Sequence, residues 1–205
     1  MFNYKWLPRF ILGAFLLFIP VSVSAGETPA GWTNYTSVSS LHFALPSGEY
    51  TQGEKETISF EENGQNDEYQ SFESKNPNAP QIMVRSTKFN EAGLLAGWDW
   101  DDQGLKNSYN ESYQRQITAW LMEDEDRDYQ IFWQGNEVQM INGQQVFFQH
   151  GRMRPRAYKS PDPALTHEHY TWVKNDTFYD MIFLYREDDK PKMQPFIHQI
   201  INTAL

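Results

Sequence analysis

The first 25 residues decide how much of the chain is left to fold. Lys5 and Arg9 precede an uncharged apolar run over 10–23, and small residues lead up to Ala25. A basic start, a short apolar core and small residues before a cut are typical of a secretory signal peptide. The pattern predicts cleavage after Ala25 and a single folded domain over 26–205.

The composition favours an exported location. The apolar run is shorter than the roughly 20 residues of a membrane-spanning helix, so cleavage is favoured over a retained anchor, and no stable membrane span is expected after it. The chain has no cysteine, which fits a bacterial periplasm better than a disulfide-rich extracellular setting. The sequence therefore predicts a periplasmic or secreted protein.

The net charge excludes one class of partner. The chain carries a formal charge of −10, and loss of Lys5 and Arg9 with the leader changes it to −12. A field of this sign repels phosphate backbones, so nucleic acid is not expected as a partner. Cations or basic protein surfaces would be attracted, although solubility alone explains an acidic surface equally simply.

Strand patterns occupy most of the first half. Apolar residues alternate over 41–45 and stop at a Pro-Ser-Gly turn, and similar short runs follow at 57–60, 69–72 and 81–89. The runs at 57–60 and 69–72 flank a polar Asn-Gly segment, which predicts a hairpin. An antiparallel arrangement is expected from these short connections.

The middle of the chain changes to a helical period. Apolar residues recur every four positions from Leu105 to Leu121, and Trp120 adds to the same stripe. This spacing predicts an amphipathic helix over 105–122 that packs its stripe on a sheet.

Two hairpins and a helix complete the pattern. Asn142-Gly143 joins runs at 138–141 and 144–153, and it is the favoured dipeptide of a type I′ turn. A second hairpin joins 169–173 to 177–185, where apolar residues on both faces indicate a central, covered strand. Phe196, Ile197, Ile200 and Ile201 predict a terminal helix that begins close to Pro195.

These elements predict an α+β fold, an antiparallel β-sheet with a mid-chain amphipathic helix and a C-terminal helix packed on it. The order of 41–46, the turn at 141–144, the hairpin at 170–185 and the terminal helix resembles the PsbP-like fold, an α/β/α sandwich. That fold occurs in extrinsic photosystem II subunits and DcrB-type envelope proteins. The resemblance implies an exported accessory or binding module and lowers the expectation of catalysis. Segments 91–104 and 152–163 depart from the family pattern, so no oxygen-evolution or manganese role is carried over.

One departure has the spacing of a calcium loop. Asp99, Asp101 and Gln103 occupy positions 1, 3 and 5, and Gly104 occupies position 6. Position 12 is Asn110, so the bidentate carboxylate of such loops is missing. A helix-entry loop, in which Asp101 or Asp102 caps the following helix, is the favoured alternative to calcium binding.

A second acidic cluster lies at 123–128, just past the predicted helix. Negative charge near the C-terminal end of a helix interacts unfavourably with the helix dipole. A divalent cation or a basic partner would reduce this unfavourable interaction. Exposure of these residues to water would reduce the interaction nearly as well, so a solvent-exposed loop is the favoured interpretation.

Histidines provide the other chemical lead. His167 and His169 share one face if 166–169 is extended, and His150 could approach from the neighbouring hairpin as a third zinc ligand. A metal-dependent envelope enzyme would use this cluster, whereas a loop at 166–169 would leave its register undefined. The sequence contains no Gly-x-Ser-x-Gly, His-Glu-x-x-His or phosphate-binding glycine motif.

Two surfaces are candidates for partner contact. Trp98 and Trp100 lie outside the predicted elements and could stack on glycans. Arg152, Arg154 and Arg156 begin a basic loop that extends to Lys159 and suits carboxylate or phosphate groups. We therefore expect a non-catalytic accessory or binding protein without a cofactor, acting on an envelope protein or cell-wall component. A metal-dependent enzyme with calcium or zinc and a glycan-binding module are the alternatives.

Overall fold

A seven-stranded antiparallel sheet is the central element of the fold. The computed structural model describes residues 26–60, 64–122, 129–156 and 161–205. Its elements are β1 (Trp32–Thr36), β2 (His42–Pro46), β3 (Tyr50–Phe60), β4 (Gln65–Ser74), β5 (Gln81–Phe89), α1 (Gln103–Met122), β6 (Tyr129–Ile141), β7 (Gln144–Pro155), β8 (Leu165–Lys174), β9 (Thr177–Arg186) and α2 (Lys190–Ala204).

The strand order of the large sheet is β3-β4-β5-β9-β8-β7-β6, and β1 and β2 form a separate two-stranded ribbon. Every pair is antiparallel, as the short connections predict. Strand β9 lies at the centre, which confirms the prediction drawn from its two apolar faces. Strands β3 and β6 are the two edges.

One face of the sheet packs against α2 and the β1–β2 ribbon, and we call it the α2 face. Ile197, Ile200 and Ile201 of α2 are fully buried there, against strand residues such as Phe183 and Trp172. Phe43 of the ribbon meets Phe72 of β4 edge-on, with ring centroids 5.1 Å apart. The larger core of the protein lies on this side.

The opposite face packs against α1 and the loop that leads into it, and we call it the α1 face. Leu95, Trp100, Phe147 and Phe178 form one cluster on it. A second cluster contains Met83, Tyr129, Met153 and Ile182. Helices on both sides give the α+β layering that the sequence predicts.

Local patterns located the elements better than their ends. The Asn142-Gly143 turn has positive φ at both residues, 50° and 78°, as a type I′ turn requires. Helix α1 begins at Gln103, two residues before its predicted start, whereas β6 begins at Tyr129 and not at residue 138. Strand β1 was not predicted.

The C-terminal helix starts earlier than its prediction. Helix α2 begins at Lys190, so Pro191 lies in its first turn and Pro195 lies inside it. Proline lacks a backbone N–H, which made Pro195 resemble a helix start. The predicted leader over 1–25 and the acidic cluster over 123–128 lie outside the described residues. None of the helices within the described ranges is long and apolar enough to cross a membrane.

Candidate functional site

The two tryptophans predicted as an exposed pair are part of the core, which corrects that prediction. Trp100 is 1% exposed and stacks on Phe147 with ring centroids 4.9 Å apart. Trp98 is half-buried and meets Phe178 edge-on at 4.8 Å. The loop folds back over the sheet because these rings cover the end of its α1 face. They do not present an open stacking surface for a sugar.

The acidic part of the same loop is organised around a glutamine and a helix cap. Asp99 Oδ1 accepts hydrogen bonds from the Asp101 backbone N–H and from Gln145 Nε2, at 2.9 and 3.1 Å. These bonds hold the pKa of Asp99 below its ordinary value. Asp102 Oδ1 accepts from the Leu105 N–H at 3.0 Å, so Asp102 caps α1. Gln103, the fifth position of the calcium pattern, is already helical.

The arginines of β7 are partly neutralised by one glutamate. Arg152 Nη1 lies 2.9 Å from Glu187 Oε1, and Arg154 Nη2 lies 4.0 Å from its other oxygen. Arg156 donates to the Tyr129 carbonyl at 3.2 Å, which ties the end of β7 to the start of β6. Lys159 lies outside the described residues. The described part of the basic loop is therefore a partly exposed patch beside the β6 edge.

The three histidines do not converge, which corrects the predicted zinc cluster. His167 and His169 are buried side by side on the α1 face, with Nδ1 of the first 2.7 Å from Nε2 of the second. His150 projects from the α2 face, where its ring stacks on Phe148. Strand alternation places even residues of β7 and odd residues of β8 on opposite faces. No three His, Asp or Glu side chains in the described ranges converge as metal ligands.

A buried polar network on the α1 face was missed by the sequence reasoning. Arg85 Nη2 of β5 lies 2.8 Å from Asp67 Oδ2 of β4, and both residues are below 5% exposed. Asp180 of β9 accepts hydrogen bonds from Thr171 at 2.6 Å and from the Tyr109 hydroxyl of α1 at 2.8 Å. Burial raises the pKa of Asp180, although Arg85 opposes this shift. The network joins four strands, β4, β5, β8 and β9, to α1.

The β6 strand forms an exposed edge of the sheet. Strand β6 has 13 residues, and Glu137 is its only charged residue. Phe132 and Met140 are 42% and 64% exposed. Among the described residues β6 pairs only with β7, so its outer backbone groups face away from the sheet. An exposed edge strand with few charges is a template for another strand.

The β3 edge differs from the β6 edge in its charges, although both edge strands contain a register shift, which in β6 lies between Trp133 and Gly135. Strand β3 carries Glu54, Lys55 and Glu56 in succession, and a bulge between Gln52 and Lys55 interrupts its pairing with β4. The buried Gln70 side chain donates to the Gly53 carbonyl at 2.9 Å and so holds the bulge. Charges and bulges are the usual means by which proteins block edge-to-edge pairing.

The comparisons with known proteins concern the fold. The chain is similar to the solution structure of cyanobacterial PsbP (CyanoP) from Synechocystis sp. PCC 6803, at 12% identity and a TM-score of 0.49, over 90% of this chain and 97% of that one. It is also similar to the crystal structure of PA94, a protein of unknown function from Pseudomonas aeruginosa, at 9% identity and a TM-score of 0.37, over 85% and 96% of the two chains. No protein-family model and no curated protein sequence matches the chain.

Proposed function

We propose that this protein is an exported, non-catalytic accessory module that binds an extended segment of a partner protein along the outer edge of β6. The observation that carries the proposal is the 13-residue edge strand with a single charge and two exposed apolar side chains, Phe132 and Met140, which lie on either side of its register shift at 133–135. A segment added there would become the eighth strand of the sheet. Its backbone would supply affinity, and its alternate side chains would supply specificity.

The negative charge of the protein favours a partner segment that carries basic residues. The chain has a net charge of −10, and residues 123–128, which precede β6 in the sequence, carry five acids and one arginine. On the strand itself the one charge is Glu137, and Glu187 already opposes Arg152 and Arg154. We therefore assign the edge to an extended, mainly apolar segment that carries lysine or arginine.

Export is the second part of the proposal. It is supported by the basic start, the short apolar run and the small residues before Ala25, together with the absence of cysteine. Fractionation of cells that express the full chain tests it. Recovery of a shortened protein from the periplasm or medium supports export, and a full-length protein confined to the cytoplasm contradicts it.

Binding at the edge is tested with two matched variants, Phe132→Lys on β6 and Ile58→Lys on β3. The replaced side chains are similarly exposed, 42% and 46%, so each variant adds one charge to one edge at a similar cost in stability. The protein would be used to select from a displayed library of random ten-residue peptides. The selected peptides would then be synthesised and their Kd measured by fluorescence anisotropy.

The proposal predicts peptides with alternating apolar residues and at least one lysine or arginine. Phe132→Lys should weaken their binding at least tenfold, because a charge on the edge repels a basic strand and removes apolar contact. Ile58→Lys should leave the Kd within twofold. Peptides whose binding is unchanged by Phe132→Lys would overturn the proposal.

A further inference from the structure

The start of the described chain lies against the C-terminal end of α2. The Gly26 backbone nitrogen donates a hydrogen bond to the Asn202 carbonyl oxygen at 3.1 Å. Helix α2 ends at Ala204, so this carbonyl belongs to the last turn, where carbonyl groups lack partners within the helix. The Asn142 side-chain amide of the β6–β7 turn donates to the same oxygen, also at 3.1 Å. Two segments that are distant in the sequence therefore cap this helix end.

The contact requires glycine at residue 26. A Cβ added to Gly26 would lie 2.6 Å from the Asn202 carbonyl oxygen and 3.3 Å from its carbon. Both atoms belong to the helix backbone, which cannot rotate aside as a side chain can. The helix end is also fixed from the other side, because Ile201 is fully buried and Thr203 Oγ1 accepts a hydrogen bond from the Ala44 N–H at 2.9 Å. A side chain at residue 26 would therefore displace the nitrogen from the helix.

The predicted leader ends at the bond that precedes this glycine. Small residues lead up to Ala25, and this pattern predicts cleavage between Ala25 and Gly26. Hydrolysis of that bond by a signal-peptide-cleaving protease adds one water, leaves a carboxylate on Ala25 and frees the Gly26 nitrogen as an α-amine. The ordinary pKa of an α-amine is about 8, so the group is mostly protonated at pH 7. The nitrogen that faces Asn202 would then carry a positive charge.

We propose that the C-terminal end of α2 is a binding site for the α-ammonium group that leader removal creates on Gly26, and that this contact stabilises the processed chain. Positive charge is favourable at the C-terminal end of a helix. A charged donor also makes a stronger hydrogen bond than a neutral amide. The leader pattern and the glycine requirement are separate observations that lead to the same bond, and the inference rests on the export proposed above.

The test begins with the full chain, expressed with its own leader. The processed protein would be purified, and its mass should correspond to a chain that begins at Gly26. A low excess of acetic anhydride at about pH 6.5 acetylates the α-amine before the more basic lysines, and peptide mass mapping identifies the product. The acetyl group restores an amide at the Gly26 nitrogen, so it keeps one N–H and removes the charge.

We expect acetylation to raise the equilibrium constant of urea unfolding about fivefold, because the helix end loses its cation. The difference should shrink in about 1 M sodium chloride, since salt screens exposed charges. Gly26→Ala should raise the unfolding constant at least tenfold and should no longer respond to acetylation. Glu27→Ala is the matched control, because it changes the adjacent exposed side chain, and it should respond to acetylation like the parent protein.

Three results would overturn the inference. They are an unfolding constant that acetylation leaves unchanged, an equal response to acetylation in Gly26→Ala, and a processed chain that begins at another residue. Failure of export gives a different result, because the chain then keeps its full length. In that case a protease recognition sequence placed over 20–25 allows the purified chain to be cut before Gly26, and the same acetylation comparison decides the inference.

Discussion

The two edges of the sheet have similar lengths and opposite chemistry. Strand β3 exposes three consecutive charged residues, whereas β6 exposes aromatic and aliphatic side chains with one charge in 13 residues, and the pairing of each strand contains one register shift. Both are parts of one sheet, so their difference cannot come from the core alone. It indicates that one edge is closed to strand pairing and the other is available for it.

The residues that pack beneath the two edge strands also differ. The β3 side rests on the buried ion pair of Arg85 and Asp67, while the β6 side rests on aromatic rings and the histidine pair. Substitution of one partner in a buried ion pair is strongly destabilising, because the remaining charge is left buried without its partner. An apolar and histidine-lined support is sensitive instead to packing volume.

The largest expected effect is loss of the buried ion network. Arg85→Met should lower the free energy of unfolding by about 3–5 kcal/mol, because Asp67 and Asp180 then remain buried without their cation. Burial raises the pKa of Asp180, so the deficit is present at pH 7 and narrows as the pH falls and the carboxyl protonates. Urea unfolding at pH 7 and pH 4.5 measures both effects. An equal deficit at both pH values would contradict this explanation.

Alanine substitutions at two glycines compare how tightly the chain packs near the two edges. In Gly151→Ala the new methyl overlaps the Phe132 backbone carbonyl and pushes β6 away, so we expect a loss of about 3 kcal/mol. In Gly53→Ala the new methyl lies 2.5 Å from Ser71 Oγ, a side chain that can rotate, so we expect about 1 kcal/mol or less. Chemical unfolding of the two variants side by side gives the order. A larger loss in Gly53→Ala would mean that the β3 bulge, not the β6 pairing, is the tighter fit.

Removing the charges of β3 should convert it into a second open edge. The triple variant Glu54→Thr, Lys55→Thr, Glu56→Thr keeps the strand but removes the residues that block pairing. We expect concentration-dependent self-association in sedimentation velocity, where the parent protein shows less. Restoring Lys55 alone should reverse most of it. An unchanged sedimentation profile would show that the bulge between Gln52 and Lys55 protects this edge without help from charge.

The smallest expected effect concerns the basic patch beside β6. Glu187→Gln frees Arg152 and Arg154, which are 38% and 56% exposed at their side chains. Exposed ion pairs contribute little, so stability should change by less than about 0.5 kcal/mol. Binding of a lysine-containing peptide should weaken by no more than a few-fold, and more at low salt than at high salt. A large loss of stability would place Glu187 in a structural role instead.

Local sequence signals predicted much of the fold and little of the site. The four-residue spacing of apolar residues predicted α1, and the Asn142-Gly143 dipeptide predicted the hairpin of β6 and β7, because residues close in the sequence determine both elements. The alternation of Tyr129, Ile131 and Trp133 was available as a signal for the start of β6. The burial of Trp100 depends on Phe147, which lies 47 positions away, and no local pattern encodes that contact.

The burial of several polar residues also depends on contacts between residues that are distant in the sequence. Asp67 and Arg85 lie in strands of the first half of the chain, where a polar residue ordinarily marks the solvent face, and Asp180 is the one acidic residue among the apolar residues of β9. They are buried because α1 covers that face and because each supplies a partner to the others. The histidines illustrate the register problem. Extension of β8 back to Leu165 placed His167 beside His169, but the parity of β7 placed His150 on the other face.

Amide hydrogen exchange shows whether a bound peptide lies along β6. The protein would be compared free and saturated with a selected lysine-containing peptide, and exchange would be read strand by strand. Peptide binding at β6 should slow exchange along 129–141 and leave exchange along 50–60 unchanged. Protection along 50–60, or protection confined to neither edge, would contradict it.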